Sequence, residues 1–115
     1  MGFFNKIFNK EENKKIKEGE FVSHWGNGEI KEKGNYKDGN KVGKWTHYYE
    51  NGQIMAEENF KDGEREGKST SYYENGQIEG EGNYKDGKLD GKWTDYNEDG
   101  SIDKVEEYKN GELVK

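Results

Sequence analysis

Residues 95–106 read DYNEDGSIDKVE. Asp95, Asn97 and Asp99 stand at loop positions one, three and five of a calcium-binding EF-hand, Gly100 at six, Ile102 at eight and Glu106 at twelve. An EF-hand also needs a helix on each side of the loop. A β-hairpin needs only two strands and a turn. What else in the chain shares this frame decides between them.

Asn-Gly or Asp-Gly stands at 27–28, 51–52, 75–76 and 99–100, in steps of 24 residues. An aromatic-Lys pair keeps the same step at Tyr36-Lys37, Phe60-Lys61, Tyr84-Lys85 and Tyr108-Lys109. Each pair runs into a second turn signal, Asp38-Gly39, Asp62-Gly63, Asp86-Gly87 and Asn110-Gly111. Gly19, Gly43, Gly67 and Gly91 open four units, 19–42, 43–66, 67–90 and 91–114, inside a repeat domain of residues 19–115. Gly100 is then the fourth hairpin glycine, and Ile102 the fourth copy of Ile30, Ile54 and Ile78. Only Asp95, Asn97 and Glu106 remain for calcium to explain, and their flanks, GKWT and EYKNGELVK, are strand-and-turn letters. The hairpin is the expected structure, with no metal site, and a calcium loop at Asp95, Asn97, Asp99 and Glu106 is the alternative.

Each unit reads as strand, turn, strand, turn. Asn-Gly favours a two-residue type I′ hairpin, because both central residues need positive φ. Lys-Asp-Gly suits a slightly longer turn with a left-handed glycine. An Asn51-Gly52 tip sets Tyr49 opposite Ile54, His47 opposite Ala56 and Trp45 opposite Glu58. Alternation then collects Trp45, His47, Tyr49, Ile54, Ala56 and Phe60 on one face. The expected fold is all-β: an elongated single-layer antiparallel meander of about eight strands, preceded by a short helical or capping segment over residues 1–18.

Composition limits what such a sheet can do. Leu, Ile, Val and Phe number 17 of 115 residues, a share typical of disordered chains, yet 3 Trp, 8 Tyr and 5 Phe oppose that reading. Order must come from aromatic side chains placed by the repeat. The chain has no cysteine, which excludes disulfides, thiolate metal sites and a thiol nucleophile. A net charge of −6 argues against nucleic acid as a partner. No apolar run approaches the roughly 18 residues of a membrane span, and the Phe3–Phe8 patch is too broken for a signal peptide, so the expected location is cytoplasmic.

The units GKWTHYYENGQI (43–54), GKSTSYYENGQI (67–78) and NYKDGKLDGKW (83–93) resemble the MORN-repeat variant of many bacterial proteins. The resemblance covers about five-sixths of the chain. It implies a twisted strip of successive hairpins. Proteins of this type are often assigned to the antitoxin side of YwqK-type toxin–antitoxin modules, which implies neutralisation of a toxin by direct contact; a structural scaffold is the alternative. Unit one departs from the pattern with His24-Trp25-Gly26, unit three with Ser69 in place of Trp, and unit four with Asn97 in place of the second Tyr.

Catalytic chemistry is not legible. His24 and His47 lack a metal-ligand partner at a recognisable spacing, and a packed or half-exposed neutral imidazole is expected at His47. Ser69, Thr70 and Ser71 lie in a strand and not in a nucleophile elbow. Gly67-Lys68-Ser69 lacks the upstream glycine of a phosphate loop. The chain is expected to be no enzyme and to need no cofactor.

Charge is uneven: residues 1–18 carry +2, unit one 0, and units two to four −3, −2 and −4. An acidic, aromatic carboxy-terminal half could clasp a basic protein such as a nuclease toxin. The candidate contact residues are Trp45, Tyr48, Tyr49, Tyr72, Tyr73, Trp93 and Tyr96 with the acids Glu57, Glu98 and Asp103. Residues 3–8, with Phe3, Phe4, Ile7 and Phe8 at helical spacing, offer membrane contact as a lesser reading. Open sheet edges offer self-association.

Overall fold

The computed structural model describes residues 17–115. The expected capping segment therefore lies, apart from Lys17 and Glu18, outside the described residues, as does the expected membrane contact through residues 3–8.

The described chain is all-β, one antiparallel sheet of 11 strands. Unit one gives β1 (Gly19–His24) and β2 (Ile30–Lys37), and β3 (Asn40–Tyr48) carries the chain into unit two. β4 (Ile54–Lys61), β5 (Glu64–Arg65) and β6 (Gly67–Tyr72) follow. β7 (Ile78–Lys85), β8 (Lys88–Leu89), β9 (Gly91–Tyr96), β10 (Ile102–Lys109) and β11 (Glu112–Leu113) complete the sheet. The path runs β1-β2-β3-β4-β6-β7-β9-β10-β11, with β5 beside β4 and β8 beside β7. Successive hairpins thus lie side by side in a slab of 60 × 37 × 18 Å. Eight long strands match the expected number, and β5, β8 and β11 are additional two-residue stubs. They separate because the amides of Glu66, Asp90 and Val114 bond back to the carbonyls of Asn59, Asn83 and Glu107, interrupting the strand.

The two turns exchange the roles expected of them. Lys37 pairs Asn40 and Lys61 pairs Glu64, leaving two-residue loops at Asp38-Gly39 and Asp62-Gly63. Both residues of each loop have positive φ, 52° and 83° in the first and 50° and 88° in the second, which is the type I′ requirement. Among the described residues, the non-glycines with positive φ are Asp38, Asp62, Asp86 and Asn110. The Asn-Gly loops are longer. Gly52 N–H donates to Tyr49 O at 3.0 Å and Tyr49 N–H to Gln53 O at 2.8 Å, so Glu50, Asn51 and Gly52 form a three-residue loop. Only Gly52 in it is left-handed, at φ 89°. Asn51 stays outside that region because its Oδ1 accepts the Gln53 N–H at 2.9 Å.

This loop is followed by a bulge that moves one residue to the other face. His47 pairs Ala56 and Trp45 pairs Glu58, as expected, but Tyr48, and not Tyr49, lies opposite Ile54. The extra residue, Met55, shifts Ile54 off the Trp45 face and onto that of Thr46 and Glu57. Ile54 there lines a shallow groove with Thr46, Tyr48 and Glu57.

A single layer buries little. Trp45 is fully buried, and Phe21 and Tyr36 flank it with ring centroids at 5.9 and 5.1 Å. Lys41 Nζ lies 4.6 Å from its centroid. On the opposite face Thr46, Thr70 and Thr94, one in each of units two to four, form a buried row. Small β-branched side chains suit a strip that must close over itself with no second layer.

Candidate protein-binding surface

The adjacent tyrosines Tyr72 and Tyr73 tie their unit to both neighbours. Tyr72 Oη donates back to Glu57 Oε1 at 3.2 Å, and Tyr73 Oη donates forward to the Tyr96 carbonyl at 2.6 Å. The same two bonds recur one period away: Tyr96 Oη donates to Glu81 Oε2 at 2.6 Å, and Tyr49 Oη to the Tyr72 carbonyl at 2.5 Å. In unit one Trp25 does the forward tyrosine's work, its Nε1–H donating to Tyr48 O at 3.1 Å. Asn97 ends the series, its Nδ2 turning to Ser101 Oγ within its own loop. The departures at Trp25 and Asn97 are thus the two ends of one hydrogen-bonded column.

The tryptophan column alternates in the same logical way. A Cβ on Gly34 would collide with the Trp45 ring, and one on Gly82 with Trp93. In between, Ser69 replaces the tryptophan and Glu58 replaces the glycine beneath it. Glu58 takes two hydrogen-bond donors at 2.9 Å, Arg65 Nε and one terminal Arg65 nitrogen, and its Oε1 lies 3.2 Å from His47 Nε2. These bonds, that of His47 first, hold the Glu58 carboxyl below its ordinary value against the effect of burial. His47 Nδ1 faces Glu32 at 3.4 Å.

Of the contact residues expected from sequence, Trp45 is enclosed and presents no surface, which corrects its place in that set. Tyr48, Tyr49, Tyr72, Tyr73, Trp93 and Tyr96 are half-buried. Lys33 Nζ sits over the Tyr48 ring, and the Trp93 Nε1–H donates to Asp95 Oδ1 at 3.0 Å. Glu57 is half-buried and bound to Lys44 at 3.1 Å. Glu98 and Asp103 are exposed.

Glu98 and Asp103 belong to a longer feature. The three-residue loops all lie along one long rim of the sheet, which exposes Glu29, Glu50, Glu74, Glu79, Glu98, Asp99 and Asp103 against, among the described residues, a single lysine, Lys31. The opposite rim, where the Asp-Gly turns lie, mixes acids with Lys37, Lys61, Lys85 and Lys109. Tyr73 feels the acidic side: desolvation first, then Glu79, Glu98, Asp103 and Asp95, raise its pKa above 10.0. Tyr49 shifts the same way, through desolvation and then Glu79 and Glu74. The column Glu50, Glu74, Glu98 was readable from its 24-residue step but was not singled out.

The letters of the EF-hand frame have other partners. Asp95 accepts from Trp93, and Asp99 Oδ1 accepts the Ser101 N–H at 2.9 Å and its hydroxyl at 2.6 Å. Glu106 accepts from Tyr108 and stands opposite Trp93 in the β9–β10 pair. Strands and not helices flank the loop. Among the described residues no group of three or more His, Asp or Glu side chains is placed to hold a metal ion. No helix of the described chain is long and apolar enough to cross a membrane.

A single sheet of tandem hairpins, clasped unit to unit and with no second layer among the described residues, is a repeat-based binding module. The MORN repeat variant family matches residues 17–38, 41–62, 65–86 and 89–110, and the chain belongs to that family. MORN-type repeats are binding and structural modules, not catalytic ones. No curated protein matches the chain.

Proposed function

We propose that the chain is a cytoplasmic protein of antitoxin or immunity type that neutralises a basic toxin, such as a nuclease, by direct contact. The observation that carries the reading is the acidic loop rim: Glu50, Glu74 and Glu98 recur at one-unit spacing with Glu79 and Asp103 beside them, and among the described residues of that rim Lys31 alone is basic. A basic surface laid along that rim gains attraction at every unit and a fast encounter. The half-buried tyrosine rings behind the rim supply apolar contact without new ordering cost, since their hydroxyls are already fixed.

The test begins with capture of bound protein from the native cells, identified by mass spectrometry, followed by calorimetry on the purified pair. Glu74→Lys with Glu98→Lys is expected to weaken the complex at least about tenfold and to flatten its salt dependence. Unchanged affinity would remove the electrostatic basis. A scaffold is the second reading, favoured by the 60 Å length of a sheet whose end strands lie open among the described residues.

A further inference from the structure

Inside the chain, each unit boundary is a strand pair. Ala56 and Glu57 of β4 pair Ser71 and Thr70 of β6, and Gly80 and Glu81 of β7 pair Asp95 and Thr94 of β9. Lys104 and Val105 hold the equivalent place on β10, and no described residue pairs their outer edge. β11 covers only Tyr108 and Lys109, and the last residues of the chain bond only Glu107.

Apolar exposure gathers at this edge. Among the described residues the exposed large hydrophobic side chains are Ile102 at 60%, Val105 at 45%, Leu113 at 55% and Val114 at 60%, with Val22 of β1 at 39%. The equivalent isoleucines Ile30, Ile54 and Ile78 are half-buried. The equivalents of Val105 are Lys33, Glu57 and Glu81, so only unit four has an apolar residue at both ends of this four-residue stretch.

The stretch Ile102-Asp103-Lys104-Val105 is complementary to itself. Run antiparallel about a two-fold axis between Asp103 and Lys104, it places Ile102 opposite the partner's Val105 and Asp103 opposite the partner's Lys104, each pairing occurring twice. The bulge between Ile102 and Lys104 keeps Ile102 and Val105 on one face of the sheet, so both apolar pairs join on that face. We propose that two copies of this chain pair through this edge, β10 against β10, to form a two-fold dimer whose sheet runs continuously through both. Charges on an edge strand ordinarily repel a second strand. Here they repel every strand that lacks the matching order, and a second copy supplies it.

A head-to-tail chain of copies, β10 on β1, fits less well. The forward clasps of Trp25, Tyr49 and Tyr73 have no successor in unit four, where Asn97 bonds its own loop. Asn27 and Asn75 also donate to the next loop, at Glu50 O and Glu98 O, and Asp99 in their column has no N–H to give. Leu113, Val114 and Lys115 moreover occupy the place, one period past Leu89–Gly91, that Lys17–Gly19 of a following copy would need. The two-fold pairing requires neither the clasps nor that space.

With about four residues a side, the contact falls short of the roughly 800 Å² per partner of a standard interface, so the dimer is concentration-dependent. Sedimentation equilibrium of the full chain over a wide concentration range is expected to show monomer and dimer and no larger species. Asp103→Lys alone and Lys104→Asp alone each set like charges opposite one another twice, and each is expected to weaken association at least about tenfold. Mixed in equal amounts, the two variants regain complementarity and form a heterodimer. The exchanged double variant, D103K with K104D, dimerises as the parent does. All these positions are exposed, and circular dichroism checks that the sheet is intact. A parent that stays monomeric to millimolar concentration, single variants that associate like the parent, or a mixture that fails to associate would each overturn the proposal. Association lost in Val22→Lys but kept in D103K would assign the contact to head-to-tail stacking instead.

Discussion

Gly34 lies against the face of the Trp45 ring so closely that a Cβ at residue 34 would stand inside the ring's van der Waals surface. Gly82 bears the same relation to Trp93. Where the chain has Ser69 in the tryptophan column, it has Glu58 and not glycine beneath. The two positions therefore change together from unit to unit, because one volume must hold either an indole or a carboxylate with its Arg65 partner.

Gly34→Ala is expected to lower stability by about 1–3 kcal/mol, since the indole is held by Phe21, Tyr36 and its own bond to Asn35 O. Thermal unfolding measures it. Gly26→Ala is the control, because a Cβ there meets nothing within 4 Å and the backbone is not left-handed. Equal losses at the two sites would contradict the packing account.

The inter-unit clasp predicts a polar effect without a change of shape. Tyr73→Phe keeps the ring and removes the donor to Tyr96 O, and should cost about 0.5–1.5 kcal/mol in denaturant unfolding. Tyr49→Phe should behave alike. Amide hydrogen exchange should localise the loosening to the junction after the altered unit.

The two turn types separate cleanly by substitution. Asp62 holds φ 50°, so Asp62→Val forces a β-branched residue into the left-handed region at about 1–2 kcal/mol. Asn51→Val loses one bond to Gln53 N–H and no backbone compatibility, about 0.5–1.5 kcal/mol at most. Asp62→Asn should be neutral or stabilising, because Asn suits this conformation at least as well. A larger loss at Asn51 than at Asp62 in thermal melts would reverse the turn assignment.

Glu58 makes the fold acid-sensitive. Its carboxyl, held down first by the His47 hydrogen bond and then by Arg65, titrates below its ordinary value of 4.5 in the folded chain. A depressed folded pKa means stability present above 4.5 and lost as pH falls through the folded value. Melting temperature against pH should therefore drop in that acid range, and Glu58→Gln should show a smaller drop from a lower starting stability. Parallel curves for the two proteins would place the acid sensitivity elsewhere.

Much of the architecture was legible in the letters. The 24-residue step of turn glycines, aromatic-Lys pairs and isoleucines dictates tandem hairpins, and by itself it removes Gly100 and Ile102 from the calcium frame. Periodicity reports backbone geometry well because left-handed turns leave few residue choices. The Trp45–Glu58 and His47–Ala56 pairs were legible for the same reason.

Which dipeptide makes the tighter turn was not legible, since Asn-Gly and Asp-Gly both tolerate positive φ. The choice fell to a tertiary contact: Asn27 and Asn75 donate Nδ2 to the next unit's loop while Oδ1 caps their own, and that double use fits the three-residue loop. The bulge at Met55, and with it the face of Ile54, follows from that loop. Sequence alone determined that the chain is a strip of four hairpins with an acidic balance, because turns and charge are local properties of the letters. Only the tertiary structure decided that Trp45 is core and not contact surface, that the paired tyrosines reach in opposite directions, and that Ile102 and Val105 end on an edge unpaired among the described residues. Each of those outcomes depends on what the neighbouring unit does or does not supply, and a residue's own letter carries no record of its neighbour across the sheet.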